Sequence, residues 1–163
     1  MIRKIGATLF ILCLMSIGSV SITDAESNQP FKIPSTKQSD QWKVELGEVI
    51  YNSKMGGPPK KGDNFEMYSL VITNIGKEVY NVEFETYRAE PNSETKFGLS
   101  LEDEKKGVFK EDRHVSFANL PIYVKANELE VVVSWHDKPV TLKDSTVDEG
   151  REYKQIFTFT RPN

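Results

Sequence analysis

From residue 41 onward, apolar residues recur at every second position, the period of a β-strand with one buried face. Trp42, Val44 and Leu46 alternate with Lys43 and Glu45. Gly47 interrupts the parity before Val49 and Tyr51 (or Ile50) resume it, which reads as a bulge. Residues 65–74 repeat the pattern, with Tyr68, Leu70 and Ile72 on one face. After a tight connection at Asn74-Ile75-Gly76-Lys77, Tyr80, Val82, Phe84 and Thr86 alternate with Asn81, Glu83 and Glu85. Residues 95–101 predict a short strand, and the charged run 102–106 a loop or one helical turn. Val115 and Phe117 begin another strand, interrupted near Asn119-Leu120-Pro121 before Ile122 and Val124. Leu129, Val131, Val133 and Trp135 share a face, and Tyr153, Phe157 and Phe159 point inward from the last strand. No window carries an apolar 3.6-residue repeat of helical length. The expectation is an all-β chain, a β-sandwich of about seven to eight antiparallel strands over residues 41–163.

A different pattern occupies the start. Arg3 and Lys4 precede an uncharged, mostly apolar run of about 18 residues, and Thr23-Asp24-Ala25 then offers a small residue for cleavage. Residues 1–25 therefore read as a signal-peptide helix, and the protein as exported, either secreted or associated with the cell envelope. The alternative is an uncleaved membrane tether, since the run is close to the lower length limit for spanning. Gly6, Gly18 and several serines weaken that alternative, and Cys13 lacks the small preceding residue of a lipoprotein signal. Residues 26–40, polar with Pro30 and Pro34, read as a flexible leader.

Removing residues 1–25 leaves 138 residues, enough for one domain with a core. The formal charge moves from −3 to −4, because Arg3, Lys4 and Asp24 leave. Mild acidity argues against nucleic acid, which calls for a basic surface. The single cysteine, Cys13, leaves with the signal, so the mature chain has neither disulfide nor thiol chemistry. A cysteine-free exported domain points to a bacterial source and must be held by its core alone.

The stretch from Leu70 to Phe84 resembles a hairpin of bacterial extracellular immunoglobulin-like domains. There an apolar strand ends in Asn-x-Gly, here Asn74-Ile75-Gly76, and an Asn-Val pair, here Asn81-Val82, precedes the returning strand. The resemblance covers some fifteen residues. It implies an immunoglobulin-like sandwich used for adhesion, scaffolding or ligand binding outside the cell, and it carries no catalytic residues with it. Trp135 could take the role of a packed central-strand tryptophan, or be an ordinary core aromatic.

Candidate chemistry changes this picture little. The histidines are His114, beside Arg113, and His136, which has the outward parity of Glu130 and Ser134. They do not form the closely spaced ligand set of a zinc site. Ser134 and His136 share a strand face about 7 Å apart, too far for a direct nucleophile–base bond. The pairs Glu83/Glu85 and Glu128/Glu130 have the i, i+2 spacing of a solvated sheet face. We expect no catalytic residue, no metal and no cofactor. The conspicuous loop is Gly56-Gly57-Pro58-Pro59-Lys60-Lys61-Gly62. It lacks the order of a phosphate loop, and it reads as a binding loop or a mobile connector. Residues 137–150 form a second long loop.

The expected function is thus a non-enzymatic exported interaction module. Its partner is a protein, peptide or cell-envelope polymer, and it neither binds nucleic acid nor inserts in the membrane after cleavage. An inhibitor of an extracellular protease or other enzyme on the same scaffold is the alternative. A small metal-dependent or hydrolytic enzyme using His114 or His136 is the third class.

Overall fold

A computed structural model of the chain describes residues 30–49, 62 and 64–162. The signal (1–25) and the loop residues Gly56, Gly57, Pro58, Pro59, Lys60 and Lys61 lie outside the described residues. Ten strands follow in chain order: β1 (Ser35–Gln38), β2 (Trp42–Glu48), β3 (Phe65–Asn74), β4 (Val79–Ala89), β5 (Lys96–Phe109), β6 (His114–Tyr123), β7 (Glu128–His136), β8 (Val140–Thr141), β9 (Val147–Asp148) and β10 (Glu152–Thr160). Two four-stranded antiparallel sheets form, in the orders β1-β2-β3-β6 and β10-β7-β4-β5, with β8 and β9 as a separate hairpin.

The alternation read from β2, β3 and β7 sets the core. Trp42, Val44 and Leu46 of β2, Tyr68, Leu70 and Ile72 of β3, and Leu129, Val131 and Val133 of β7 are buried. Facing rings join the sheets: Trp42 lies edge-on to Phe84 of β4 at 6.0 Å and to Trp135 of β7 at 5.7 Å. Each such aromatic buries a large area and adds an edge-to-face contribution of about 1 kcal/mol.

Several expectations are corrected, each by a feature that alternation alone does not encode. Gly47 is no bulge, since β2 pairs with β3 without a shift from Trp42 to Glu48. The bulge lies between β3 and β6, where Tyr68 opposes Leu120 and Leu70 opposes Phe117. The extra residue falls on β6, so the apparent break at residues 119–121 is a bulge inside one strand. Pro121 fits there because β6 is an edge, where a missing N–H costs no ladder bond. The charged run 102–106 is neither loop nor helical turn; it belongs to the 14-residue β5. In β4, Tyr80 does not share the inward face of Val82 and Phe84. Asn81 adopts φ 46° at a register shift, and this reverses the parity so that Val79 is buried instead.

Residues 30–40, read as part of a flexible leader, are folded. Ser35–Gln38 pair with Lys43–Leu46 of β2. Phe31 is 3% exposed, lies edge-on to Tyr68 at 6.0 Å, and donates its N–H to the Tyr68 hydroxyl at 3.3 Å. Burial pushes the Tyr68 hydroxyl well above the ordinary tyrosine range. Phe31→Ala is expected to destabilise the domain by about 2–3 kcal/mol, below the range for a central core phenylalanine because a site near a chain end collapses more readily. A truly flexible leader would give no change in the urea midpoint.

The hairpin reading of residues 70–84 is also corrected. β3 and β4 lie in different sheets, so Asn74-Ile75-Gly76-Lys77 is a corner between the sheets. Asn74 is fully buried there. Its amide nitrogen donates to the carbonyls of Lys77 (3.0 Å), Phe109 (3.2 Å) and Lys110 (3.1 Å). Its oxygen accepts from Gln41 Nε2 (2.6 Å) and the Gly76 N–H (3.1 Å). One side chain thereby ties the β1–β2, β3–β4 and β5–β6 connections together. Glycine is needed at 76 because a Cβ there would meet the Asp40 carbonyl at 2.9 Å and the Gln41 side chain at 2.7 Å.

Candidate functional site

The edge strands β5 and β6 lie on the same side of the sandwich, where residues of both line one cleft. Between them opens a cleft of about 570 Å³, within the usual range of ligand pockets. Phe65 and Met67 of β3, Leu99 of β5, and Leu120 and Pro121 of β6 supply its apolar lining. Leu99 and Leu120 are buried, whereas Phe65 is 48% exposed.

Arg88 is the charged member of the lining. It continues the inward parity of Val82, Phe84 and Thr86 on β4, so an apolar position at the strand end carries a guanidinium. That group lies over the rings of Phe97 (5.5 Å) and Tyr123 (5.7 Å), one from each sheet. Its Nε and terminal nitrogen each approach Glu90 Oε1 at 3.0 Å. A guanidinium held this way offers flat, weakly hydrated surface as well as charge. The cleft is therefore an apolar trough with one neutralised ion pair at its rim, suited to a ligand with an apolar body.

The sequence-read sites fall apart in space. The Gly56–Lys61 loop lies outside the described residues, and Phe65, which follows it in the chain, lines the cleft. Residues 137–150 link β7 to β10 at the end of the sandwich opposite the cleft. There Tyr153 donates to Asp137 at 2.8 Å, and this bond, with Lys77 nearby, holds the Asp137 carboxyl below the usual carboxylate range. His114 lies exposed on β6 of one sheet; His136 ends β7 of the other, with Nδ1 3.4 Å from the Gly150 carbonyl oxygen. Among the described residues no three His, Cys, Asp or Glu side chains are grouped to hold a metal ion.

Three of the four paired carboxylates, Glu85, Glu128 and Glu130, have structural partners. Lys96 of β5 contacts Glu130 at 2.5 Å and Glu128 at 2.9 Å, and those hydrogen bonds raise its pKa. Glu85 accepts from the Tyr87 hydroxyl at 3.1 Å. Sequence reasoning missed Met67, Arg88, Phe97 and Leu99 as site residues. One signal was present: an arginine on the apolar parity of β4.

Fold and cleft together define an all-β domain with an open-edged apolar trough. The chain belongs to the family of YozF-like secreted proteins, which it matches over residues 25–163, and it is accordingly a secreted protein. The chain is 36% identical over 140 residues to the uncharacterized protein YozF of Bacillus subtilis (strain 168), covering 78% of this chain and 79% of the relative. No solved structure matches it.

Proposed function

We propose that this protein is a non-enzymatic interaction module of immunoglobulin-like topology that binds a protein, peptide or cell-envelope component outside the cell. The observation that carries the reading is the β5–β6 cleft, where exposed Phe65 and half-buried Met67 adjoin the ringed Arg88 guanidinium. Such a surface recognises an apolar segment through shape and ring contact. The immunoglobulin-like part is supported by strand order. β2-β3-β6 against β10-β7-β4-β5 follows the A-B-E and G-F-C-C′ arrangement of that fold, with β3 and β4 joined across the sheets.

Phe65 and Phe97 are partly exposed, so changing both to serine spares the core. The double variant is expected to keep its melting temperature and lose at least roughly tenfold in capture of the partner from an envelope extract. Undiminished capture would remove the cleft from the account. Deleting Gly56–Gly62 tests the glycine- and proline-rich loop separately, and loss of capture with an intact fold is the expected result.

The inhibitor reading has its own observation. Val140, Leu142 and Val147 are exposed on the β8–β9 hairpin. Asp144 steadies its turn by accepting from the N–H (3.0 Å) and hydroxyl (2.6 Å) of Thr146. An apolar hairpin with its turn braced in this way could enter an enzyme's cleft, and a panel of extracellular proteases with no member inhibited would end that reading.

A further inference from the structure

We propose that the β10 edge pairs with β10 of a second copy, joining two sheets into one of eight strands. The ladder to β7 decides which backbone groups of β10 are free. In an antiparallel pair, hydrogen-bonded residue pairs alternate with non-bonded ones. Just beyond the strand's two ends, Asp137 N–H donates to the Arg151 carbonyl (3.0 Å) and Arg161 N–H to the Asn127 carbonyl (2.9 Å). Both pairs lie on the same register as β10 and β7. Odd-numbered residues of β10 therefore bond β7. Glu152, Lys154, Ile156, Thr158 and Thr160 aim N–H and C=O at the open edge.

This edge lacks the protection of the others. β1 has four residues, β6 carries Pro121 and a bulge, and β5 is twice shifted against β4. β10 runs nine residues without proline, glycine or register shift. An edge of that kind is a template for another strand.

The second copy fits because β10 is self-complementary about Ile156. A two-fold axis there sets Ile156 against its counterpart, Lys154 against Thr158, and Glu152 against Thr160. All five outward residues then meet outward residues, as the alternation requires. Ile156, 53% exposed, gains an apolar contact. Sliding the pairing to centre on Lys154 would oppose two lysines, which disfavours that register. The end pairing is complemented by charge. Lys32 and Lys37 line a crevice with Phe159 and Thr160, so Glu152 of the second copy arrives beside two cations. Two short strands make a small interface, and the dimer is accordingly concentration-dependent.

Sedimentation velocity of the mature chain over a wide concentration range provides the test. Wild type is expected to shift from monomer to dimer. Ile156→Pro removes an outward N–H and an outward side chain, neither of which serves the β7 ladder, so it should leave the melting temperature nearly unchanged and raise the dimer Kd by roughly thirtyfold or more. Glu152→Lys should weaken the dimer, and adding Lys32→Glu with Lys37→Glu should restore it. A chain that stays monomeric throughout, including one that captures only a different protein at this edge, overturns the proposal. So does a dimer indifferent to Ile156→Pro.

Discussion

Asn74→Ala is expected to lower the unfolding free energy by about 3–5 kcal/mol. Domains of this size hold only about 5–15 kcal/mol in total, so the variant should unfold at a much lower urea concentration. The reason is the number of groups it strands. The Phe109 carbonyl receives its Asn74 bond in a buried setting, while the carbonyls of Lys77 and Lys110 and the Gly76 N–H share the same side chain. Each buried polar group left unpaired costs about 1–3 kcal/mol. Lys77 retains one partner, since Gln41 Nε2 also donates to its carbonyl at 2.7 Å, and the Gly76 N–H still reaches the Gln41 carbonyl at 3.2 Å, so the total stays below the sum of four full penalties. Asn74→Asp should be no milder, because it turns a carboxylate oxygen toward three carbonyl oxygens. A loss under about 1 kcal/mol for Asn74→Ala would mean that backbone bonds alone hold the corner. Those bonds include Asn74 N–H to the Arg113 carbonyl at 2.9 Å and Asp112 N–H to the Asn74 carbonyl at 2.8 Å.

Trp42→Ala is expected to cost about 4–5 kcal/mol, through lost transfer energy and the cavity left behind. Trp42 is fully buried and touches the rings of Phe84, Phe109 and Trp135 at 6.0, 5.8 and 5.7 Å. No other side chain bridges the two sheets through so many aromatic contacts among the described residues. Its indole nitrogen is buried without a hydrogen-bond partner, and burying an unpaired donor opposes folding. Trp42→Phe removes that donor while keeping a ring in place, so its cost should be only about 1–2 kcal/mol. Equal losses for the two variants in urea titration would show that the indole itself, and not the filled volume, holds the sheets together.

These two residues were differently legible. Trp42 opens the first clear run of alternation, and its inward face follows from the period of two. Asn74 could be read only as a turn residue. Asn-x-Gly suits a hairpin and a corner between sheets equally well, because local chemistry sets the tightness of the turn and not the partner of the next strand. That choice belongs to residues distant in sequence: Gln41, Phe109 and Lys110 close around the amide. The leader was misread for the same reason. Phe31 stands alone in a polar stretch, and only the space beside Tyr68 gives it a buried position.

The candidate site was less legible than the fold. Phe65 and Leu120 come together because β6 crosses back to pair with β3, while Arg88 and Leu99 reach them from the facing sheet. No local spacing connects these positions. The long 137–150 connection lies at the end of the sandwich away from the cleft.

By itself, the sequence determined export from the cell, the all-β class, and the inward faces of β2, β3 and β7. All of these depend on local pattern, either an apolar run of fixed length or a period of two. Tertiary structure alone decided which strands share a sheet, where Asn81 and the bulge in β6 reverse parity, and how four strands meet to open the cleft. Those outcomes turn on long-range pairing, in which a one-residue slip exchanges the buried and exposed faces.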